Sequence, residues 1–239
     1  MNVVLYRPQP HNKATHIFHL GAIVVSIVVI SSVAIFYSLG YQLNLQARSI
    51  KQTGILTLGS ERSSGPATVS INGKQVATKL PYRMAYAFPG SYRVTVQKPG
   101  YQEWNRTIEV EPNVVTSFNS IVLLRNPLVP IPVSLDQVNF GTDADTDVHG
   151  LEVHENELRV DGRFITRTSD DIASARWYPD NQHLIYQAGA TLWLADLDGL
   201  YTQKLLTLPT AEPVTLVFKN NGRLLYYLSE GKAYMLALF

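Results

Sequence analysis

The first feature of the chain is one uninterrupted apolar segment, which runs from Leu20 to Leu39 without a charge or a proline. A helix of these 20 residues is about 30 Å long, which is the thickness of the hydrocarbon core of a bilayer. Its β-branched residues also suit a buried strand, but no globular strand is this long, and in lipid the backbone must satisfy its own hydrogen bonds. The pattern predicts a transmembrane helix over residues 17–41, preceded by a tail at 1–16.

The length of this segment favours a retained signal-anchor over a cleaved signal peptide. The apolar region of a signal peptide has about 7–15 residues, and this one is longer. Ser38-Leu39-Gly40 has the small-x-small form of a cleavage site, but Tyr37 and Tyr41 flank it and are typical of a membrane interface. We therefore expect a single-pass anchor.

The orientation of the anchor is predicted from the tail and not from the charge count. Arg7 and Lys13 precede the helix, while Arg48 and Lys51 follow it, so the positive charges are balanced. A first helix that follows a short basic tail and precedes a large domain usually leaves the N-terminus in the cytoplasm. We expect a cytoplasmic tail and extracytoplasmic domains in the cell membrane.

After a linker at 42–52, the pattern changes to the alternation that is typical of strands. Short alternating segments with a turn every 8–12 residues predict a small β-sandwich over residues 53–125. Asn72-Gly73, at the end of one such segment, is the strongest short hairpin signal. The predicted strands are Thr53–Leu58, Ala67–Ile71, Tyr92–Gln97, Thr107–Glu111 and Ser117–Leu124.

The residues of this region resemble a PEGA domain. The resemblance rests on Ala67–Gly73, on the Leu80-Pro81 step, on Phe88–Val96, which contains Pro-Gly-Ser-Tyr, and on Gly100-Tyr101. Ser64-Gly65-Pro66-Ala67 stands where the family has Pro-Glu-Gly-Ala, and Leu80-Pro81 lacks the threonine of the family. The resemblance implies an accessory module of a bacterial cell-envelope protein, and it implies no catalytic residue.

A repeat with an offset of 41 residues follows a proline-rich linker at 126–133. Trp177–Tyr186 aligns with Phe218–Tyr227, and Leu192–Leu194 aligns with Ala233–Met235. A period near 40 with alternating strands and turns is typical of propeller blades. Leu151 and Val153 lie 41 residues before Leu192 and Leu194, which suggests a degenerate earlier blade.

The first copy is similar to the WD40-like repeat of TolB-type propellers. Trp177-Tyr178-Pro179-Asp180-Asn181 matches the Trp-Ser-Pro-Asp-Gly turn of that repeat, with Asn181 in place of the glycine. Residues 134–239 are too short for the four or more blades of a closed propeller. A truncated remnant, an open stack of sheets and half of an oligomeric ring remain open, and we favour the open stack, packed partly against the first β domain. The expected fold is an all-β body, a small β-sandwich plus incomplete propeller-like antiparallel β-sheets, with one N-terminal transmembrane α-helix.

Charge divides the chain more sharply than its net value of +1 suggests. Residues 53–125 carry eight Lys/Arg and four Glu, whereas residues 126–239 carry eight Lys/Arg and fifteen Asp/Glu. Two solvated surfaces of opposite sign explain this difference, and so does electrostatic docking of one part on the other. The cations of the basic part are spread along predicted strands, so we expect no nucleic-acid partner.

Candidate chemistry is sparse. The chain has no cysteine, which excludes disulfides and thiolate sites. Asp143, Asp145 and Asp147 have the spacing that opens a calcium loop, but Val148 and His154 stand where its glycine and glutamate belong, so a solvated acidic loop is preferred. His149, His154 and Glu155 lie nearby in no zinc-binding spacing. We expect no catalytic residue, no metal and no cofactor.

The remaining side chains that suggest chemistry have simpler interpretations. Asp170 and Asp171 are adjacent, so on a strand they point to opposite faces and in a loop they are exposed. Core and rim packing is preferred to a sugar-binding surface for the aromatic residues of the first β domain, which are Tyr82, Tyr86, Tyr92, Tyr101 and Trp104.

These features together favour a non-catalytic envelope protein whose extracytoplasmic β domains bind a protein or a polysaccharide. The alternative is a signalling or assembly subunit that acts through a membrane partner. A third hypothesis, from a different class, is a hydrolase with a site between Asp143 and Asp171.

Overall fold

A computed structural model describes residues 13–44, 48–59, 65–119, 121–140 and 150–239. The first part of the predicted tail, the acidic segment Asp143–Asp147 and His149 lie outside the described residues. The structure confirms the expected class, an all-β body preceded by one N-terminal helix.

Helix α1 (Lys13–Ser38) contains a 22-residue apolar segment, Ile17–Ser38, with a mean hydropathy of 2.5. No part of this segment is buried against the described protein. The hydroxyl groups of Ser26, Ser32 and Ser38 donate to carbonyls one turn earlier, each at 2.8 Å. The polar groups of these serines are therefore satisfied inside the helix, as a lipid environment requires.

The segment interpreted above as a linker at 42–52 contains a hairpin. Its strands are β1 (Tyr41–Asn44) and β2 (Ser49–Gln52), which pair antiparallel. This segment has few apolar positions, so the sequence pattern does not reveal the hairpin.

The first β region, residues 53–125, is a sandwich of two sheets. One sheet has the strand order β6-β3-β9, with β9 parallel to β3, and the other has the order β5-β4-β7-β8. Alternate residues of the facing strands form a single core that includes Leu56, Val94 and Trp104. The strands are β3 (Gly54–Leu58), β4 (Gly65–Ile71), β5 (Lys74–Leu80), β6 (Tyr82–Ala87), β7 (Gly90–Gln97), β8 (Trp104–Val110) and β9 (Val115–Phe118).

Among the described residues, the second β region, 126–239, forms three antiparallel sheets. Their strand orders are β11-β12-β13, β14-β15-β16-β17 and β10-β20-β19-β18. The strands are β10 (Ile131–Val133), β11 (Leu151–His154), β12 (Glu157–Val160), β13 (Arg163–Arg167), β14 (Ile172–Trp177), β15 (His183–Ala188), β16 (Thr191–Asp196), β17 (Thr202–Thr207), β18 (Thr215–Lys219), β19 (Leu224–Ser229) and β20 (Lys232–Ala237).

The middle sheet of the second β region is buried on both faces. Leu184 and Tyr186 of β15 face the core shared with the first sheet, whereas Ile185 faces the core shared with the third. The sheets therefore lie in a stack with one hydrophobic core on each side of β14–β17.

The two repeat copies occupy equivalent strands, but the proposed earlier copy does not. Trp177 and Phe218 lie on the first strands of their sheets, β14 and β18, and Leu192–Leu194 and Ala233–Met235 lie on the third strands, β16 and β20. Leu151 and Val153 lie on β11, the first strand of its sheet, so the offset of 41 does not hold there. Leu151 and Val153 belong to the first sheet of the second β region, in a strand position different from that of Leu192 and Leu194.

The proline-rich segment also contributes to the stack. Ile131–Val133 forms β10, which pairs antiparallel with β20 and completes a four-stranded third sheet. Proline lacks a donor and is tolerated because β10 is an edge strand.

The predicted strand Ser117–Leu124 is shorter than expected, since β9 ends at Phe118. Residues 121–124 are buried outside any strand: Ile121 and Leu123 enter the core of the first β region, and Val122 and Leu124 enter a core of the second. This apolar connector ties the two regions through alternate side chains.

Candidate functional site

The most concentrated group of charged side chains with low exposure lies where the two β regions meet. We call it the ion cluster, and it consists of Arg106 from the first region with Asp180, His183, Asp196 and Asp198 from the second. It joins residues about 90 positions apart in sequence.

Arg106 is placed in the cluster by the alternation of β8. Along this strand the inward positions are Trp104, Arg106, Ile108 and Val110, so an arginine occupies a position that belongs to the core. It is only 8% exposed. Its guanidinium group lies 4.4 Å from the centre of the Phe118 ring, which covers one face of the cation.

The partners of Arg106 come from the end of β16 and the following turn. One guanidinium nitrogen donates to Asp196 and the other donates to Asp198. Asp196 is buried, while the side chain of Asp198 is 35% exposed. Burial lowers the pKa of Arg106, and Asp196 opposes that effect. A buried cation is thus matched by carboxylates from the other region.

His183, the first residue of β15, lies between two carboxylates. Its Nδ1 is 2.7 Å from Asp180 and its Nε2 is 2.9 Å from Asp196. Burial alone lowers the pKa of His183, but the hydrogen bonds and charges of Asp180 and Asp196 outweigh burial and raise that pKa to about 9. The imidazole is therefore held as a cation by a hydrogen bond between Nδ1 and Asp180 and by an ion pair between Nε2 and Asp196.

Asp180 is fixed by the turn that carries the propeller-like motif. Its Oδ1 accepts from the backbone N–H groups of Gln182 and His183 at 2.9 and 3.0 Å. Asn181 has a φ of 55°, so the predicted left-handed turn position is confirmed. The hydrogen bonds of this turn therefore fix the carboxylate of Asp180 next to His183.

Aromatic, amide and backbone contacts also join the two β regions. The ring of Trp104 lies 6.0 Å from the ring of Tyr201, and Gln203 donates to Gln102 at 2.7 Å. The backbone N–H of Arg125 donates to the carbonyl of Leu238 at 2.9 Å. Burial, followed by the charges of Asp196 and Glu103, raises the pKa of Tyr201 to about 12.

The cationic side chains of the ion cluster are engaged by carboxylates of the same cluster. His183 has both nitrogens engaged by carboxylates, so neither is presented to a substrate or a metal. The guanidinium of Arg106 is likewise engaged by two carboxylates. Across the described ranges, no group of three or more His, Asp or Glu side chains could hold a metal ion.

A shallow cleft of about 560 Å³ opens at the junction of the two β regions. We call it the junction cleft. It is bordered by both β regions and mixes amide, charged and apolar groups. Its lining residues are Gln102, Glu103, Asn126, Pro127, Leu128, Lys204 and Leu205.

The candidates considered from sequence do not converge on this junction. His154 is exposed and lies 3.4 Å from Glu152, while Glu155 occupies a turn with a φ of 53°. Asp170 and Asp171 are exposed in the loop between β13 and β14, as expected for a loop position. The calcium-like loop lies outside the described residues.

The aromatic residues of the first β region follow the packing interpretation, with one exception. Trp104 is buried, and Tyr82, Tyr92 and Tyr101 pack against the core. Tyr86 is 50% exposed.

Sequence reasoning missed the ion cluster because its members are distant along the chain. Two signals were present: Arg106 stands in the apolar phase of an alternating strand, and the two regions carry opposite charge. The contacts of Arg106 show that the regions do meet through opposite charges at this point.

Comparison with known proteins supports the first resemblance. Residues 53–123 match the PEGA domain, which coincides with the two-sheet sandwich. Among curated proteins, none matches the chain at a significant level.

Proposed function

We propose that this protein is a membrane-anchored, non-catalytic envelope protein in which α1 holds a single β body at the membrane and the β body binds a protein or a polysaccharide. The observation that carries the proposal is the buried ion pairing of Arg106 with Asp196 and Asp198, which joins the two β regions into one body. The body follows directly after an apolar helix that it does not cover.

The anchor is supported by the exposure of α1. Large apolar side chains around the helix, among them Ile23, Val28 and Phe36, are more than half exposed. A soluble protein does not leave such a helix in water, whereas lipid covers it on all sides. We place the N-terminus in the cytoplasm and the β body outside it.

The second β region is best described as an open, propeller-like stack. Its two repeat copies are equivalent strand by strand, and the hydroxyl of Tyr178 donates to the carbonyl of Gly222 in the corresponding turn of the next sheet at 2.9 Å. Strand β10 supplies the outermost strand of the last sheet from an earlier part of the chain. Propeller-like modules commonly carry binding surfaces, which suits a binding role.

The junction cleft is the surface that we assign to binding. Its amide groups and its Glu103 and Lys204 side chains offer donors and acceptors of the kind that hydroxyl-rich or polar ligands require. Because Gln203, next to Lys204, donates a hydrogen bond to Gln102 across the two regions, the borders of the cleft are held together and its shape is preorganised.

Binding is tested with the full chain in mild detergent, incubated with isolated cell-wall polysaccharide, and in parallel by cross-linking in native membranes. We expect retention on one of these partners and loss of retention in Lys204→Ala. Lys232→Ala is the matched control, because Lys232 is also an exposed lysine on a strand of the second region. Failure to bind any envelope fraction would count against the proposal.

The same experiment separates the alternative role. Co-purification of one membrane protein that depends on the sequence of α1, and not on the junction cleft, would favour an assembly or signalling subunit. The hydroxyls of Ser26 and Ser38 are bonded within the helix to Ala22 and Ala34, so these small residues need no second helix to satisfy them.

A further inference from the structure

The end of α1 is joined to the first β region with almost no free chain between them. Gly40 adopts a φ of 80° directly after the helix. Its carbonyl accepts from both the backbone N–H of Thr53 at 2.9 Å and the hydroxyl of that residue at 2.8 Å. The side chain of Gln52 donates to the carbonyl of Leu39 at 3.1 Å. The base of the sandwich is therefore held at the level where the helix ends.

The hairpin β1–β2 turns one face toward the helix. Tyr41 packs edge-on against Phe36, with ring centres 5.5 Å apart. Residues 41 and 43 of a strand share a face, and directly paired residues of an antiparallel hairpin share that face too. Leu43 is paired with Ile50. These two apolar side chains therefore lie on the same face as the ring that contacts the helix.

This face and the neighbouring edge of the sandwich expose apolar side chains near the helix end. Leu43 and Ile50 are 61% and 67% exposed, and Val115 is 59% exposed. Tyr86 and Val114 are also exposed, and the ring of Tyr86 lies 5.9 Å from the ring of Tyr37. We call this set the membrane-proximal patch: Leu43, Ile50, Tyr86, Val114 and Val115.

A cleft of about 530 Å³ lies within the patch, between the helix end and the sandwich. Its lining includes Tyr37, Leu39, Tyr86, Val114 and Val115. Exposed apolar side chains around a cleft of this kind mark a contact site in a folded protein.

The charges near the membrane-proximal patch indicate which kind of surface covers it. The chain contains no Asp or Glu before Glu61. Arg48 and Lys51 of the hairpin are exposed. Lys51 pairs with Gln42 and so lies on the opposite face from Ile50, where a flexible ammonium can reach lipid headgroups. A basic and apolar surface at the end of a membrane helix matches an anionic bilayer interface.

We propose that the membrane-proximal patch is a lipid-contacting surface, which rests the base of the β body on the headgroup region of an anionic bilayer next to α1. This inference rests on the proposed anchoring by α1 and adds that the β body is seated on the membrane and not suspended above it. The hairpin and the edge of the sandwich enter the interface with Leu43, Ile50 and Val115, while Arg48 and Lys51 contact phosphate groups.

The absence of cysteine in the chain makes the test direct, because any introduced cysteine is unique. Full-chain variants Ile50→Cys, Val28→Cys and Leu200→Cys are labelled with an environment-sensitive fluorophore and reconstituted into phosphatidylcholine–phosphatidylglycerol vesicles that carry nitroxide-labelled lipids. Leu200 is the matched control, since it is an apolar residue of the second region with 79% exposure. We expect several-fold stronger quenching by a shallow nitroxide at Ile50 than at Leu200.

The probe at Val28 separates this inference from the anchoring itself. Val28 lies near the middle of the apolar helix, so a deep nitroxide should quench it if α1 spans the bilayer. Quenching at Val28 without quenching at Ile50 would overturn the seated arrangement and leave the anchor intact. Quenching at neither position would overturn both. Disulfide-linked dimers formed through unlabelled Ile50→Cys would show that a second copy, and not lipid, covers the patch.

Discussion

Arg106 and His183 show how individual residues hold the β body together. Each is a cation with almost no exposure, and transfer of such a group from water is unfavourable unless it is fully paired. Asp196 contacts both cations, so it connects the two pairs into one network. Removing Arg106 or His183 leaves the buried carboxylate of Asp196 with one of its two cationic partners missing.

The Arg106→Met variant tests the contribution of the interregional ion pairs. Because methionine has a similar apolar stem and no charge, Asp196 and Asp198 lose their shared donor, and we expect a loss of about 3 kcal/mol of unfolding free energy. Arg93→Met is the control: Arg93 is an exposed arginine on β7, and its loss should cost less than about 0.5 kcal/mol. Urea unfolding of the full chain in detergent, followed by tryptophan fluorescence, measures both, and equal costs would contradict the role of Arg106.

The titration of His183 predicts a specific pH dependence of stability. The folded pKa of about 9 lies above the ordinary value of 6.5. The stabilisation is therefore fully present below about pH 6.5 and is lost as the pH rises toward 9, by up to about 3 kcal/mol. In the wild-type chain, the measured free energy of unfolding should therefore fall as the pH rises across this range.

Two variants test whether His183 produces this pH dependence. His183→Gln should have lower stability and little slope between pH 6.5 and 9, because the titrating group is gone. His154→Gln should keep the wild-type slope, since His154 is an exposed histidine. A slope that persists in His183→Gln would show that another group produces it.

Local residue signals were predictable from sequence, and long-range ones were not. Asn72 and Gly73 have φ values of 51° and 79° and form the expected hairpin turn between β4 and β5. Asn181 likewise adopts the left-handed conformation that its turn motif predicts. The pairing of Arg106 with Asp196 follows no local pattern, because it depends on how two separately folded sheets approach each other.

At the scale of elements, the connector 121–124 explains why the last strand of the sandwich was predicted too long and how the two cores are linked. Its four apolar residues resemble a strand, and sequence reasoning extended the last strand of the sandwich through Leu124. Instead, the segment is extended between two cores, with odd-numbered residues on one side and even-numbered residues on the other. Alternation indicates two environments, but it does not say whether the second is solvent or another core.

Elements with weak or atypical patterns were missed. Strand β6 carries exposed and half-buried residues with little apolar contrast, and β10 contains a proline that argues against a strand in the interior of a sheet. The repeats that did reveal β14–β16 and β18–β20 have strong aromatic and aliphatic alternation.

Alanine substitutions at two glycines test how closely the sheets of the second region are packed. Gly199 and Gly231 lie in turns with φ values of 70° and 72°. A methyl group at Gly199 would overlap the carbonyl of Ile165 on the neighbouring sheet, whereas at Gly231 it would meet no atom within 4 Å. Gly231→Ala should cost about 1 kcal/mol from backbone strain, and Gly199→Ala should cost about 1–3 kcal/mol more.

Urea unfolding of the two glycine variants gives the comparison, because backbone strain is nearly equal in both. Equal losses of stability would mean that β13 and the turn after β16 are not in contact.

At the scale of the whole molecule, the chain combines an uncovered apolar helix with a β body whose two regions share a core boundary, an ion cluster and backbone hydrogen bonds. The opposite formal charges of the two regions were visible in the sequence, and the structure gives them a point of contact. The number and closure of the sheets were harder to predict, since closure depends on the total number of sheets and not on the pattern of any one of them.

Anchorage is the claim on which the rest of the account depends. The most direct measurement is alkaline carbonate extraction of native membranes, followed by the intact mass of the extracted or retained chain. We predict that the chain stays in the membrane fraction with α1 still joined to the β body. A shorter chain that begins near Gly40 and is released by carbonate would show that α1 is a cleaved signal peptide and would contradict the account.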